Sequence, residues 1–204
     1  MDIVFFETLE STQTFLLEKL QEDLCVVALK QTNGIGSRGN SWEGVESGLY
    51  FSFCLHQKKL PNDLKLQSAS LFFGFLFKEV LNEKGFEIWL KWPNDLYLRD
   101  KKVGGVIVSC KQDKVVCGIG LNFKSSSFGS LGAELHKKEI LEVFFKKIKN
   151  TSQWKQVFRK YKLEFCKNSD FSFHYQEQMI SLKDVKLLED GSICYSGKIF
   201  YSLR

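Results

Sequence analysis

Proline, methionine and histidine are scarce: the 204 residues hold two prolines, two methionines and three histidines. So little proline excludes a polyproline rod or a collagen-like repeat. The histidines (His56, His136, His174) are scattered, and the six cysteines, at 25, 54, 110, 117, 166 and 194, contain no C-x-x-C pair, so zinc-ligand spacing is absent. The cysteines mostly lie inside apolar runs such as CVVAL and FSFCL, which reads as buried, reduced thiols and a cytoplasmic, reducing compartment. Long apolar runs are lacking too. The most apolar, SLFFGFLF at 70–77, falls far short of the roughly 18 residues that cross a bilayer. The start, MDIVFFETLE, has neither the basic region nor the cleavage site of a secretory signal, so a soluble protein with no membrane partner is expected. Charge of one sign is not in large excess: 29 basic and 24 acidic residues leave +5. That disfavours general nucleic-acid coating and leaves anionic small ligands or an acidic partner open.

What is present is apolar patterning, 44% of the chain, enough for one substantial core or a main domain with a small satellite. IVFFE reads as a strand, and ESTQTFLLEKLQED as a helix capped by Ser11 or Thr12. CVVALK and GLYFSFCL read as strands joined by a glycine-rich loop. A long helix is expected from Asp63 to about Lys84, stopped by Gly85. EIWLKW, DLYLR, KVGGVIVSC and KVVCGIGLNF build the rest of a sheet, with RDKK as a tight turn that puts Lys102 at the mouth of a strand starting at Val103. HKKEILEVFFKKIKN and SQWKQVFRKYKLEFC are helical, the second capped by Thr151 or Ser152. Short alternating segments then suggest a small, separate β-barrel-like unit, dividing the chain into 1–167 and 168–204.

The loop GIGSRG, 34–39, matches GxGxxG. A dinucleotide fingerprint needs its glycines between a strand and a helix, whose N-terminal N–H groups bind pyrophosphate, and here a strand follows. Two readings stay open: a flexible connection in which glycine permits positive φ, or an anion-binding concavity in which Arg38 forks onto a phosphate and Trp42 stacks on a base.

KWPNDLYLRDKKVGG, 91–105, is the second constellation. Asn94 offers a donor and an acceptor to an adenine edge. Asp95 could hold Mg²⁺, orient an amine or simply cap a turn. Lys102 suits a carboxylate or reacting phosphate, or is a solvated surface lysine. Paired glycines at 104 and 105, and again Gly118 and Gly120 before Asn122, leave room for a ligand beside a strand.

Together STQ, ALKQ with its glycine loop, GLYFS, KWPNDLY, DKKVGGVIV and GIGLN resemble biotin–protein ligases of the bacterial type, over residues 5–125. The resemblance implies an α+β fold, a mixed, mostly antiparallel sheet with packed helices of the class II aminoacyl-tRNA synthetase and biotin ligase kind, plus a small C-terminal SH3-like β-barrel. It implies an ATP- and Mg²⁺-dependent enzyme that makes biotinyl-5'-AMP and transfers biotin to a lysine of the biotin carboxyl carrier subunit of acetyl-CoA carboxylase. It puts Ser11, Thr12, Gln31, Gly34, Lys102, Gly105 and Gly118 on the biotin side, with Gln13 replacing the family's usual asparagine. Arg38, Trp42, Asn94 and Asn122 fall on the ATP or adenylate side. Lys102, Asp95 and Arg38 are the expected catalytic set, Asp95 also near magnesium. The family loop usually reads GRGRxGRxW; Ile35, Ser37 and Asn40 stand here where arginines are expected, which implies weaker retention of the intermediate.

The rival within the superfamily is a lipoate or octanoyl ligase or transferase, against which KWPND argues. A DNA-binding repressor is disfavoured because the ligase-like region begins almost at Met1, and a non-catalytic binding module would keep the pocket without ATP turnover. An exposed strand edge could pair with the carrier or with a second copy.

Overall fold

The computed structural model describes residues 1–175 and 178–202. The first part alternates strand and helix as the patterning requires: β1 (Asp2–Leu9), α1 (Thr12–Lys19), β2 (Leu24–Gln31), β3 (Ser47–His56) and α2 (Ala69–Glu83). Four strands follow in quick succession, β4 (Ile88–Lys91), β5 (Asp95–Leu98), β6 (Lys101–Lys111) and β7 (Lys114–Lys124), then α3 (Lys137–Asn150) and α4 (Trp154–Glu164). They form one seven-stranded sheet in the order β1-β2-β3-β7-β6-β5-β4. Only β1 and β2 run parallel within it; the other neighbours are antiparallel. The α+β, mostly antiparallel architecture expected from the sequence is therefore present.

Period-two alternation sends the two faces of this sheet to different neighbours. In β3, Leu49, Phe51 and Phe53 face α2 and α3, where rings from Phe73, Phe77 and Phe144 meet them edge-on or tilted at centroid distances of 5.1–6.1 Å. Each such ring buried from water is worth about 1.5–3 kcal/mol, so this face holds the molecule together. On the other face Leu16 of α1 packs with Val26, Cys54 and Val116. That helix covers only part of the sheet. The uncovered remainder, over β6 and β7, becomes the site.

Two helix starts differ from expectation. α2 begins at Ala69, behind a short 3-10 turn at Leu66–Ser68, rather than at Asp63. The reason is that Asp63 caps a different helix: its carboxylate accepts from Trp154 N at 2.7 Å and from Lys155 N at 3.0 Å. α4 therefore needs neither Thr151 nor Ser152 as its cap, and Thr151 Oγ1 instead donates to Lys147 O at the end of α3. Losing this tertiary cap should cost about 1 kcal/mol, so Asp63→Ala should lower the thermal midpoint by about 2–4 °C in calorimetry.

The C-terminal segment forms two small antiparallel sheets of the SH3-like kind. One pairs β8 (Ser172–Tyr175) with β9 (Gln178–Ser181); the other orders β10 (Lys186–Leu187), β11 (Ile193–Tyr195) and β12 (Lys198–Phe200) side by side. Its apolar side chains do not make a separate core, since Phe173, Ile180, Leu182, Ile193 and Phe200 join the main cluster. Trp92, fully buried, is the pin: its indole N–H donates to Gly191 O at 3.1 Å and its ring meets Phe173 edge-on at 5.1 Å. Trp154 Nε1 donates to Glu189 O in the same way.

The candidate active site

Along β6 and β7 the residues facing away from α2 include Gly105, Gly118 and Gly120, and the register brings them together. Gly105 lies opposite Gly120, and Ile107 opposite Gly118, which in turn is opposite Ser52 of β3. A methyl group on Gly120 would sit 2.6 Å from Trp42 Cε2, and one on Gly105 would sit 3.2 Å from Trp42 Cζ3. The indole of Trp42 thus lies flat on a glycine floor that no other residue type would leave. A cavity opens beside it, bounded by Ser11, Thr12 and Gln13 from α1, Gln31 from β2, and Ile35, Ser37 and Asn40 from the glycine loop. Asp95, Lys102 and Ile107 close the remaining wall.

Lys102 reaches this cavity by a break in alternation. It lies three residues before Gly105, and a regular strand would send the two to opposite faces. Between β5 and β6 the register slips, with Leu96 opposite Gly104 but Tyr97 opposite Lys102. A β-bulge at Val103 therefore turns Val103 inward to the core and Lys102 outward to the site, the re-aiming that bulges commonly do. The strand starts at Lys101 rather than Val103, and the turn is confined to Arg99 and Asp100, with Arg99 at φ 55°.

The charges then fall into a row. Lys102 Nζ is 2.6 Å from Asp95 Oδ1 and 5.7 Å from the Trp42 ring centre. Lys91 Nζ stands 3.9 Å from the other carboxylate oxygen and over the rings of Phe171 and Tyr97. Burial holds Lys91 below the usual lysine range, opposed by Asp95 and reinforced by the nearby charges of Lys102 and Arg38. One carboxylate thus serves two ammonium groups and leaves a net positive wall. Among the described residues no group of three or more His, Cys, Asp or Glu side chains gathers in metal-binding geometry. Asp95 alone suits a divalent ion that arrives with a phosphate-bearing ligand, not a resident metal.

The polar side chains are placed with equal economy. Thr12 donates from its N at 2.8 Å and its Oγ1 at 3.1 Å to Gln31 Oε1, and shares a hydrogen bond with Ser52 Oγ at 2.9 Å. Ser11 caps α1 by accepting from Thr14 N. Asn94 Nδ2 donates to Val106 O while Val106 N donates to Asn94 O, so Asn94 braces the turn after Pro93 against β6. Asn122 Nδ2 donates to Gly129 O, leaving its buried Oδ1 without a partner at a second recess formed with Trp42, Lys102 and Phe128. Trp42 Nε1 is likewise buried and unpartnered. Two orphaned buried groups at one recess, an acceptor and a donor, are what a polar heterocyclic ligand would satisfy.

The glycine loop folds on itself. Ile35 pairs with Ser41, Gly36 N donates to Asn40 O and Trp42 N donates to Gly34 O. Arg38, at φ 60°, donates from Nη1 to His174 O at 3.0 Å and lines an adjoining recess with Gln13, Asn94 and Ile107. It does not line the main cavity and bridges instead to the C-terminal sheet. A methyl on Gly34 would lie 2.6 Å from Trp42 O, a backbone clash that no rotamer relieves. Gly34→Ala should speed hydrogen exchange across 34–42 by about tenfold or more, relief of such overpacking being worth about 1–3 kcal/mol, while the global thermal midpoint stays put.

Residues 5–122, which carry every side chain lining the main cavity, match the model of the biotin/lipoate A/B protein ligase family. The chain belongs to that family. Over 98% of both chains it superposes on the crystal structure of biotin acetyl coenzyme A carboxylase synthetase from Helicobacter pylori with bound biotinylated ATP, at TM-score 0.94 and 49% identity. The Aquifex aeolicus biotin protein ligase in complex with biotin and ATP aligns over 98% of this chain and 94% of that one, at TM-score 0.80 and 28% identity. Among characterised sequences, the bifunctional ligase/repressor BirA of Escherichia coli is 30% identical over 131 residues. That match takes in 59% of this chain and 40% of BirA's length, so the chain spans well under half of that relative.

The geometry adds two residues that sequence reasoning did not single out. Ser52 is one, and Lys91 another. Ser52 was within reach of period-two alternation, since LYFSFCL puts Tyr50, Ser52 and Cys54 on one face and the rings on the other. Lys91 lies inside the KWPND run, but its placement beside Asp95 and over Phe171, eighty positions away in sequence, is set by the fold.

Proposed function

We propose that the chain is an ATP-dependent, AMP-forming biotin–protein ligase of the biotin–[acetyl-CoA-carboxylase] type. The observation that carries this is the bulge that aims Lys102, salt-bridged to Asp95, over the glycine floor of β6 and β7. A carboxylate ligand lying on that floor would present its oxygen to the Lys102 ammonium. The α-phosphate of ATP would meet the same positive wall.

The carboxylate oxygen of biotin attacks the α-phosphorus, the bond to the β-phosphate oxygen breaks, and pyrophosphate leaves. A carrier lysine amine then attacks the acyl carbon, AMP departs, and the amine's proton passes to solvent or to the AMP phosphate. Neither half needs an enzyme nucleophile, in keeping with a cavity whose wall has charge and hydrogen-bond donors but no thiol or imidazole. Lys102 neutralises charge developing at phosphorus, and Asp95 fixes where its ammonium sits. Magnesium bound to ATP would supply further charge neutralisation, with Asp95 as its protein contact. Adenine fits the recess of Trp42, Asn122 and Phe128, where the orphaned Asn122 Oδ1 would accept from the exocyclic amine. Asn94, which lines the main cavity, positions the turn that leads into Asp95.

The same reading assigns residues 1–167 to catalysis and 168–204 to a small SH3-like domain. The acceptor would be the biotin carboxyl carrier subunit of acetyl-CoA carboxylase. Strand β1, at the sheet's edge with Val4 and Phe5 exposed, supports strand-to-strand association with that carrier or with a second copy. Six free thiols, of which Cys25 and Cys117 are pushed well up by burial, support a cytoplasmic location.

Incubation with ATP, a carrier domain, and labelled biotin or labelled lipoate tests the assignment. Biotin transfer with stoichiometric pyrophosphate and AMP is expected; preferential lipoyl or octanoyl transfer would overturn it in favour of the superfamily rival.

A further inference from the structure

Gln13, in the first turn of α1, is 3% exposed and lines the cavity. Its carboxamide has no freedom of orientation. Nε2 lies 3.1 Å from Val116 O, which can only accept, and 3.3 Å from Ser109 Oγ, so the nitrogen must face these two. Oε1 is thereby turned over Gly118, where a Cβ would stand 2.7 Å from it. There it is buried and has no hydrogen-bond partner. The neighbouring amide is set the opposite way: Gln31 Oε1 is taken by Thr12, which leaves the Gln31 nitrogen as the group facing Gly34.

A buried acceptor aimed into a cavity requires a donor from whatever fills it. Resting on the ligase reading, we propose that Gln13 is a specificity-determining residue whose Oε1 accepts a ring N–H of the biotin cyclic urea and so rejects heads without an N–H, such as the dithiolane of lipoate. The urea carries two N–H donors and one carbonyl. Gln13 supplies an acceptor for the first kind, and the Gln31 nitrogen a donor for the second. A dithiolane or alkyl head would fill the space but strand Gln13 Oε1. Hydrogen-bonding sites discriminate strongly against ligands that leave a polar group unpaired. The family covers both biotin and lipoate ligases, so its shared framework does not make this choice; a side chain must.

The test measures equilibrium binding, without ATP, of four ligands to wild type and to Gln13→Met, a near-isosteric change that removes the acceptor. The ligands are biotin, lipoate, and the two lactam analogues in which one or the other ring N–H is replaced by CH₂. Wild type should bind one lactam about tenfold to hundredfold more weakly than biotin. Gln13→Met should weaken biotin by a similar factor, show no further loss for that lactam, and bind lipoate at least as well as wild type. Its rate at saturating biotin should be retained while KM rises. Equal loss of biotin and lipoate in Gln13→Met would show a packing role and overturn the proposal. If the variant does not fold, the wild-type comparison decides, because both lactams binding as tightly as biotin overturns it without any substitution. Wild type that prefers lipoate to biotin overturns the ligase reading as well, so the two failures are distinct.

Discussion

Replacing Lys102 with alanine should lower the rate of biotin-dependent pyrophosphate release by about 10²–10³-fold, the usual effect of removing one preorganised charge-stabilising group. The fold should survive. Lys102 is 44% exposed at its side chain and belongs to no core cluster, and Val103 next to it supplies the packing. The loss should fall on the chemical step, because the ammonium is placed for a charge that grows at phosphorus. Lys102→Arg should recover little, since a planar fork on a longer side chain cannot take the place of a point charge held 2.6 Å from Asp95. Calorimetry on both variants alongside the pyrophosphate assay separates a chemical defect from unfolding. Near-normal release by Lys102→Ala would remove the basis of the assignment.

Lys102 also shows where the sequence was legible and where it was not. The apolar and aromatic density of GLYFSFCL and KVVCGIGLNF was enough to predict the strands, and the glycines at 105, 118 and 120 predicted a floor open to a ligand, whereas Gly104 faces Leu96 and Leu121 on the core side. KWPND followed by DKKVGG pointed to Asp95 and Lys102, which the fold brings to 2.6 Å of each other. What alternation could not supply is the bulge, because period two puts Lys102 and Gly105 on opposite faces and only the pairing with β5 reverses that. The helix starts failed for a related reason. Asp63 looks like a local cap, yet its carboxylate serves α4, and such a partnership across 91 positions leaves no local trace. The C-terminal unit was rightly read as short strands, while its packing onto the main core through Trp92 left no local trace.

Arg38 is the other residue whose role depended on distant chain. Read locally, it is a phosphate fork; in the fold, its left-handed backbone and its bond to His174 O carry it to β8. The loop therefore offers the main cavity Ile35, Gly36, Ser37, Asn40 and Ser41, while the Arg38 guanidinium lines the adjoining recess and is tied to His174 O. An acyl-adenylate held in the main cavity would have Lys102 on one side of its phosphate and, from the loop residues lining that cavity, neutral groups on the other. Introducing Ser37→Arg should slow release of biotinyl-AMP by about tenfold to hundredfold, the range of one charge-assisted hydrogen bond to a phosphate. Release can be followed by chasing a fluorescent biotinyl-AMP analogue with unlabelled biotin and ATP. The first half-reaction should change far less, because its charge is already met by Lys102. The effect should also persist in an Arg38→Ala background if the new side chain acts on the phosphate directly. An off-rate that Ser37→Arg leaves unchanged, or a wild-type chain that already releases the intermediate slowly, would mean that retention here comes from something other than loop charge, with Trp42 over Gly105 and Gly120 the next group to alter.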